Sequence, residues 1–290
     1  MIHAPNDTRE TCNIGQGLHL ARTTISPWRW TSLRDGGTTM AMAEPLLVTI
    51  TFSHYCEKTR WALDRATIAY RESGHLPIFH ALAVRRSGGW RSVPALVTDD
   101  GVINDSSNIL GWIDKQAPHI HLYGRNAAER EEIEKLEDLC DEQLGPHTRR
   151  WAYFYLLPMR DLTLRMTRDK APKIEHAALT VLFPIARKMM QRAMKITPKG
   201  AERSREKIEY VFAEVGKKLA DGRKFLVGDG LSAADITFAS LAAVVLLPEQ
   251  YAATLPKLED LPAEAQVHIR AWREHPAGEF ALRMFRDHRW

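Results

Sequence analysis

Two side chains that can donate a hydrogen bond or act as a nucleophile, Ser53 and Cys56, lie three positions apart at the start of an amphipathic segment. Serine is a favoured N-cap residue, so a helix is predicted to begin at Ser53. The partial positive charge at that end of a helix favours anions, and a hydroxyl group placed there can stabilise a thiolate. Two interpretations stay open for each residue. Ser53 stabilises an anion or only caps the helix, and Cys56 is a reactive thiol or a packed first-turn cysteine.

A small sheet is predicted around these residues. A β-branched run at Leu46–Thr51 predicts a buried strand directly before a helix over Ser53–Ala66. After that helix the predicted order is strand, helix, strand, hairpin, strand, helix. These elements are a strand at 68–71, a helix within 75–86, a strand at 94–98, a tight turn at 99–101, a strand at 102–103 and a helix that begins at Asp105 or Ser106.

The second half of the chain is predicted to be helical, because from residue 126 onward apolar residues recur at helical spacing. Gly145–Pro146 predicts a kink or break in the first long helix of this half. Pro184 and Pro198 predict further breaks, since proline lacks the N–H group that a helix interior uses. By composition, the most buried helix is predicted at Leu231–Leu247.

The charge balance argues against a nucleic-acid partner. The chain has 290 residues with 44% hydrophobic and 26% charged residues, which is typical of a globular protein large enough for two domains. The net charge is only +4, from 40 basic and 36 acidic residues. The basic residues form short groups and no long block. One such group, Arg149–Arg150, is interpreted either as a solvated helix face or as a substrate contact.

No metal site, disulfide framework or membrane span is predicted. The three cysteines are far apart in the sequence, and the pairs His75/His80 and His119/His121 have no further ligands at metal-binding spacing. The longest apolar stretch, Ile236–Leu247, is shorter than a bilayer-spanning helix needs.

Four segments, taken together and in this order, resemble the glutathione S-transferase superfamily. FSHYCEKTRWALD at 52–64 is similar to the start of the family's active site, with His54 where the family usually has proline. SVPAL at 92–96 is similar to the family's cis-proline signature, and DSSNILGWID at 105–114 to the motif that holds the γ-glutamyl group. GDGLSAADI at 228–236 is similar to the start of the core helix in the family's second domain.

The resemblance implies a role for each matching residue. Ser53 takes the position that activates the glutathione thiol, and Tyr55 takes the aromatic position beside it. Val93, held by a cis bond to Pro94, would present its backbone N–H and C=O groups to the cysteinyl unit. At the predicted helix start, Asp105–Ser106, the backbone N–H groups and the Ser106 hydroxyl would bind the γ-glutamyl carboxylate, and Asp105 would meet the ammonium group.

The same resemblance implies the fold and the function. The expected fold is an α/β thioredoxin-like N-terminal domain at 44–117, a linker at 118–125 and an all-α C-terminal domain at 126–290. The expected protein is a cytoplasmic homodimer that conjugates glutathione, its co-substrate, to small electrophiles in detoxification, with no metal, no nucleic acid and no membrane. The electrophile pocket is expected to include aromatics from Trp151 to Tyr155.

Three further points stay open at this stage. Residues 1–43 show no periodic pattern and are predicted to be a disordered tail, with a transit peptide as the competing interpretation and Met40 or Met42 as an alternative translation start. A glutathione-dependent thiol oxidoreductase using Cys56 is one alternative function.

Such an enzyme could not use Ser53 and Cys56 for a dithiol cycle, because the first of the two positions is a serine. A non-catalytic glutathione-binding protein is the other alternative.

Overall fold

The computed structural model describes the backbone of residues 29–32 and 38–41 and, in full, residues 44–168 and 171–290. Strands β1 (Arg29–Ser32) and β2 (Thr38–Ala41) form an antiparallel pair of their own. For the rest, the predicted disordered tail at 1–43 lies outside the described residues. The chain from Glu44 onward forms a separate compact unit, which carries all the features described below.

A four-stranded mixed sheet with three helices confirms the predicted thioredoxin-like domain. The sheet order is β4-β3-β5-β6, with β4 parallel to β3 and the other neighbours antiparallel. Helix α1 makes the crossover that the parallel pair requires. The elements are β3 (Leu46–Ile50), α1 (His54–Arg65), β4 (Arg71–His75), α2 (His80–Arg86), β5 (Ala95–Thr98), β6 (Gly101–Asn104) and α3 (Ser106–Gln116).

One boundary in this domain differs from the sequence prediction. The strand predicted at 68–71 begins only at Arg71, because the chain first leaves α1 through Thr67, whose φ of 52° ends the helix. Strand β4 has the polar sequence RESGH, and its pairing with β3 stabilises it at the edge of the sheet without an apolar pattern. The helix expected within 75–86 begins at His80, after a loop in which Ile78 also has a positive φ.

The remainder of the described chain is an all-helical domain, as predicted. A single residue, Leu144, separates the end of α4 from the start of α5 at Gly145, and Pro146 occupies the first turn of α5, where its missing N–H group is not needed. The helices are α4 (Ala127–Gln143), α5 (Gly145–Leu156), α6 (Arg160–Thr167), α7 (Lys173–Ala193), α8 (Pro198–Leu219), α9 (Ala233–Leu246), α10 (Ala263–Glu274) and α11 (Pro276–His288).

The break predicted at Pro184 is wrong, whereas Pro198 does begin a helix. Pro184 lies inside α7 on its exposed side. A proline at that position leaves the carbonyl of Thr180, four residues earlier, without its helical donor. Arg160 supplies the missing bond, since its Nη2 atom donates to that carbonyl at 3.0 Å. A side chain from α6 therefore allows α7 to run through the proline.

Helix α9 forms the centre of the main hydrophobic core, which confirms the most buried helix of the sequence prediction. All but one of its residues are buried, and it packs against α1, α4, α5 and α11. Asp235 closes a capping box with Ser232 and accepts a further hydrogen bond from the Leu226 N–H group. In the described part of the chain, no helix combines the length and the apolar character that crossing a bilayer requires.

A second, smaller apolar cluster lies apart from the main core. Its buried members come from three places: Leu76 after β4, Leu164 on α6, and Leu179, Phe183 and Ala186 on α7. Glu175 links α7 to the end of β4. Its carboxylate lies 2.6 Å from the His75 Nδ1 atom and accepts a hydrogen bond from the Leu76 N–H group at 2.8 Å. Helices α6 and α7 thus pack as a unit beside the end of β4.

A buried ionic cluster joins α1 to α3 and α4. The ammonium group of Lys58 is fully buried and lies 2.8 Å from Glu137 Oε1 and 2.9 Å from Asp141 Oδ2. It also donates to the Ser107 hydroxyl, which in turn donates to Asp141. The Tyr123 hydroxyl completes the cluster by donating to Glu137 at 2.7 Å. The first helix of the sheet domain is therefore fixed to the first helix of the helical domain through charge.

Candidate active site

The register of the sheet brings the predicted site residues to one edge. Ser53 follows β3, Pro94 precedes β5, and Asp105 follows β6. Ala95 pairs with Val48 on one side and with Asn104 on the other. Pro94 comes one residue before Ala95 and Asp105 one residue after Asn104, so both lie next to the Ala95–Asn104 pair. Segments far apart in the sequence thus meet where β3 and β6 end and β5 begins.

The backbone at this edge has two special conformations. The Val93–Pro94 peptide bond is cis, as the resemblance implied, and Pro94 is buried. Asp105 has a φ of 77° and caps α3 by accepting a hydrogen bond from the Ser107 N–H group at 2.9 Å. The Asp105 side chain is exposed, whereas Ser106 is only 2% exposed. The N-terminus of α3 therefore lies next to the cis peptide bond, and the exposed carboxylate of Asp105 lies beside it.

A cavity of about 570 Å³ begins at this edge and extends along the helical domain. Ser53, Tyr55 and Val93 line it, together with side chains from α5, α6 and α7. Pro94, Asp105, Ser106 and Cys56 are not among its lining residues. The structure therefore places part of the predicted site on the cavity wall, Pro94, Asp105 and Ser106 at the same sheet edge outside the lining, and Cys56 in the interior of α1's packing.

Ser53 is half-buried and its hydroxyl does not cap the helix. The backbone of Ser53 is fixed by hydrogen bonds, since its N–H group donates to the Ile50 carbonyl and its own carbonyl accepts from Glu57, both at 2.9 Å. The side chain makes no cap hydrogen bond to α1, and the thiol of Cys56 lies within hydrogen-bonding reach of it. Ser53 thus lies at the positive end of α1 and lines the cavity, and its hydroxyl does not cap the helix.

Cys56 points into the interior. Its side chain is fully buried, and burial raises the pKa of its thiol to about 11. Because the thiolate is the reactive form of cysteine, a buried thiol with a raised pKa is poorly suited to direct thiol chemistry at neutral pH. These observations favour the packed interpretation of Cys56.

His54 and Tyr55 hold the start of α1 against the junction of α4 and α5. The His54 Nε2 atom lies 2.9 Å from the Gly145 carbonyl, and the Tyr55 hydroxyl donates to the Asp141 carbonyl at 3.0 Å. The ring of Tyr55 lies against Gly145, where any side chain would collide with it. Burial raises the pKa of Tyr55 well above its usual value, so it remains a neutral donor. His54 thereby makes a side-chain hydrogen bond between the two domains that a proline at this position could not make.

Protonation of His54 is expected to destabilise the fold. Burial and the nearby charge of Arg149 lower the pKa of His54 from 6.5 to about 3. Below pH 6.5, His54 therefore binds a proton in the unfolded chain, whereas in the folded chain it remains neutral until the pH is near 3. The free energy of unfolding should fall with decreasing pH in that range, with a His54 share of up to about 1.4 kcal/mol per pH unit.

Urea unfolding between pH 7 and pH 4 checks this expectation, with His54→Asn as the comparison. Asparagine can still donate to the Gly145 carbonyl but does not titrate in this range. The variant should lose less stability than the wild type on acidification. Identical pH slopes for the two proteins would contradict the assignment.

The helical wall of the cavity contains side chains that no motif identified. Of the aromatics expected between Trp151 and Tyr155, Tyr153 lines the cavity, whereas Trp151 is buried against Tyr155 and Trp272. Arg149 lines it as well. Helical spacing is the signal that could have separated these residues, because Arg149 and Tyr153 lie one turn apart on the same face of α5.

Family comparison supports the fold and extends to both domains. Models of the glutathione S-transferase N-terminal domain and C-terminal domain match residues 47–125 and 171–277, which together make up more than half of the chain. A search of curated proteins finds no match.

Among solved structures, a glutathione S-transferase from Xanthobacter autotrophicus is 14% identical, with a TM-score of 0.52 over 82% of this chain and 91% of that chain. One from Methylobacterium radiotolerans, solved in complex with glutathione sulfonate, is 21% identical, with a TM-score of 0.49 over 82% of this chain and 94% of that chain. One from Rhodospirillum rubrum is 22% identical, with a TM-score of 0.48 over 85% of this chain and 100% of that chain. The first of these likenesses, at 14% identity, concerns the fold alone.

Proposed function

The chain belongs to the glutathione S-transferase superfamily, and from this premise we propose that it binds glutathione at the sheet edge and transfers it, as a thiolate, to a small electrophile in the cavity. The observation that carries the proposal is the position of Ser53. Ser53 lies at the N-terminus of α1 and lines a cavity large enough for a second substrate, and its hydroxyl makes no cap hydrogen bond.

Glutathione binding rests on the chemistry of the sheet edge. The N-terminus of α3 offers backbone N–H groups and the Ser106 hydroxyl to the γ-glutamyl carboxylate, and the exposed carboxylate of Asp105 attracts the ammonium group. The backbone of Val93 pairs with the cysteinyl unit. This arrangement directs the thiol toward Ser53, which Val93 accompanies on the cavity wall.

The transfer step needs the thiol in its ionised form. An ordinary thiol with a pKa near about 8.5 is mostly protonated at neutral pH. The Ser53 hydroxyl and the positive end of α1 stabilise the anion, so the proton leaves to solvent before the reaction. The thiolate then attacks the electrophilic carbon and forms the carbon–sulfur bond. With a halogenated ring, the halide departs with the electron pair of its bond. With an activated alkene, the neighbouring carbon takes up a proton.

The remaining features follow from family membership and are proposals of the same kind. We expect a cytoplasmic homodimer with a role in detoxification, a glutathione-binding domain at 44–117, a linker at 118–125 and a substrate-binding helical domain at 126–290. Sedimentation velocity of the purified chain tests the dimer directly.

Isothermal titration with reduced glutathione, followed by a conjugation assay with chlorodinitrobenzene, tests the main proposal. Absence of binding at millimolar glutathione would overturn it. Binding without turnover of any electrophile would favour the non-catalytic alternative. Activity that disappears in Cys56→Ser but survives in Ser53→Ala would favour the thiol oxidoreductase.

Asp105→Asn is expected to weaken glutathione binding by about 10-fold, the usual worth of one hydrogen bond to a charged group. Asparagine keeps the oxygen that accepts from the Ser107 N–H group, and it tolerates a positive φ better than most residues. The change therefore removes the negative charge and retains the helix cap. Titration calorimetry measures the dissociation constant, and Asp100→Asn, in the hairpin turn between β5 and β6, is the matched control. Equal affinity in all three proteins would show that Asp105 does not meet the ammonium group.

A further inference from the structure

The charge that faces the cavity is of one sign. Three arginines line it: Arg91 from the loop before β5, Arg149 from α5 and Arg187 from α7. Among the described residues that line this cavity, there is no aspartate or glutamate. A cavity with several cations and no carboxylate on its wall favours an anionic occupant.

Arg149 is the cation most in need of a partner. Its Nε atom is buried and has no hydrogen-bond partner among the described residues. The neighbouring Arg150 is different, because its Nε atom donates to the Met194 carbonyl at 2.8 Å and its Nη1 atom to the Ser204 hydroxyl at 3.1 Å. A buried guanidinium donor without an acceptor is energetically unfavourable. Arg150 is therefore held by hydrogen bonds within the protein, whereas the Nε atom of Arg149 is available to a ligand.

The direction of Arg149 follows from its place on α5. Arg149, Ala152, Tyr153 and Leu156 are spaced three and four residues apart, and all of them line the cavity. The charge of Arg149 also acts on His54 and Tyr55, the two residues that follow Ser53. The guanidinium group thus lies toward the end of the cavity where glutathione is expected to present its thiol.

Apart from Arg187, the part of the cavity wall formed by α6 and α7 is mostly apolar and adaptable. Helices α6 and α7 contribute Met166, Leu179, Phe183 and Met190 to the lining. Unbranched methionine side chains fit apolar ligands of different shapes. An occupant that suits both walls has an apolar body and an anionic end.

We propose that the electrophilic substrate is an apolar carboxylate, such as an aryl carboxylate, whose carboxylate group is bound by Arg149. This inference rests on the proposed function, since it names the second substrate of the same site. Bidentate hydrogen bonding of a guanidinium group to a carboxylate would satisfy the buried donor and orient the reactive carbon toward the thiolate.

A matched pair of electrophiles tests this directly. Conjugation of para-chloro-meta-nitrobenzoate and of its methyl ester is measured on the full chain, each rate being divided by the uncatalysed rate. Arg149→Gln should lower kcat/KM for the carboxylate by about 10- to 100-fold, which is the effect of losing a charged hydrogen bond. It should leave kcat/KM for the ester within about twofold, because uniform binding of the apolar ring is retained. Arg192→Gln, an exposed arginine of α7 outside the cavity lining, is the control for net charge.

The outcomes separate this inference from the one it rests on. An equal loss for both electrophiles would overturn it, because Arg149 would then act on glutathione. The same holds if Arg192→Gln gives the same selective loss. If neither compound is turned over, calorimetry with the unreactive para-methyl-meta-nitrobenzoate and its methyl ester decides the question. Preference for the carboxylate in the wild type, lost in Arg149→Gln, supports the anion site even if conjugation fails, and absence of any preference overturns it.

Discussion

Replacing Ser53 by alanine is expected to lower kcat/KM for conjugation by about 10- to 100-fold, because one charged hydrogen bond to the thiolate is lost. The same loss should raise the thiol pKa of bound glutathione by about one to two units. A pH titration of the thiolate's ultraviolet absorbance in the binary complex measures that pKa independently of the electrophile. The fold should be unaffected, since the Ser53 hydroxyl makes no cap hydrogen bond.

Ser53→Thr is the matched control for this result, because threonine retains a hydroxyl at the same position. It should keep most of the activity and a low thiol pKa. Cys56→Ala tests the neighbouring thiol, and a fully buried cysteine with a raised pKa should be dispensable for chemistry. If Ser53→Ala leaves both kcat/KM and the thiol pKa unchanged, Ser53 has no part in thiolate stabilisation.

Replacing Lys58 by methionine is expected to lower the free energy of unfolding by about 3–5 kcal/mol, the usual effect of removing one partner from a buried ion pair. Methionine fills a similar volume but leaves the buried carboxylate of Glu137 and the partly buried carboxylate of Asp141 without their cation. Urea unfolding monitored by tryptophan fluorescence measures the loss. Lys135→Met on the exposed side of α4 should change stability by less than about 1 kcal/mol, because its pairing with Glu131 is exposed to solvent.

A second variant separates charge from packing at Lys58. Combining Lys58→Met with Glu137→Gln and Asp141→Asn removes the stranded charges, and neutral replacements of buried ionic clusters are often close to wild type in stability. The triple variant should therefore regain most of the lost free energy. A triple variant as unstable as Lys58→Met would show that the side-chain shape of lysine, and not its charge, is what α1 and α4 need.

Local sequence signals were sufficient to predict the turn, the helix cap and the helix junction around the site. The turn at Asp99–Asp100 lies between β5 and β6, and Asp105 caps α3. Gly145–Pro146 marks the junction of α4 and α5. At each of these positions the conformation is set by the residues themselves and their sequence neighbours, which is the condition under which propensities and turn preferences are reliable.

Long-range contacts were beyond the reach of sequence patterns. Lys58 looks like any charged residue on an amphipathic helix, since its partners Glu137 and Asp141 are on another helix. Pro184 looks like a helix terminator because the compensating donor, Arg160, lies on α6. The cavity was hidden for the same reason, since its wall is assembled from α5, α6 and α7 together and no single segment carries its pattern.

The packing of α7 outside the main core has a consequence for evolution. The apolar cluster of Leu76, Leu164, Leu179, Phe183 and Ala186 is distinct from the core around α9, and several of its members also line the cavity. Substitutions at sites that share no partners affect stability almost independently, and α7 contributes no residue to the main core. Descendants of this gene can therefore exchange cavity-wall residues of α7, and with them the proposed preference for an electrophile, while the proposed glutathione-binding edge and the main core stay as they are. Selection for new chemistry has a region to act on that is largely decoupled from selection for folding.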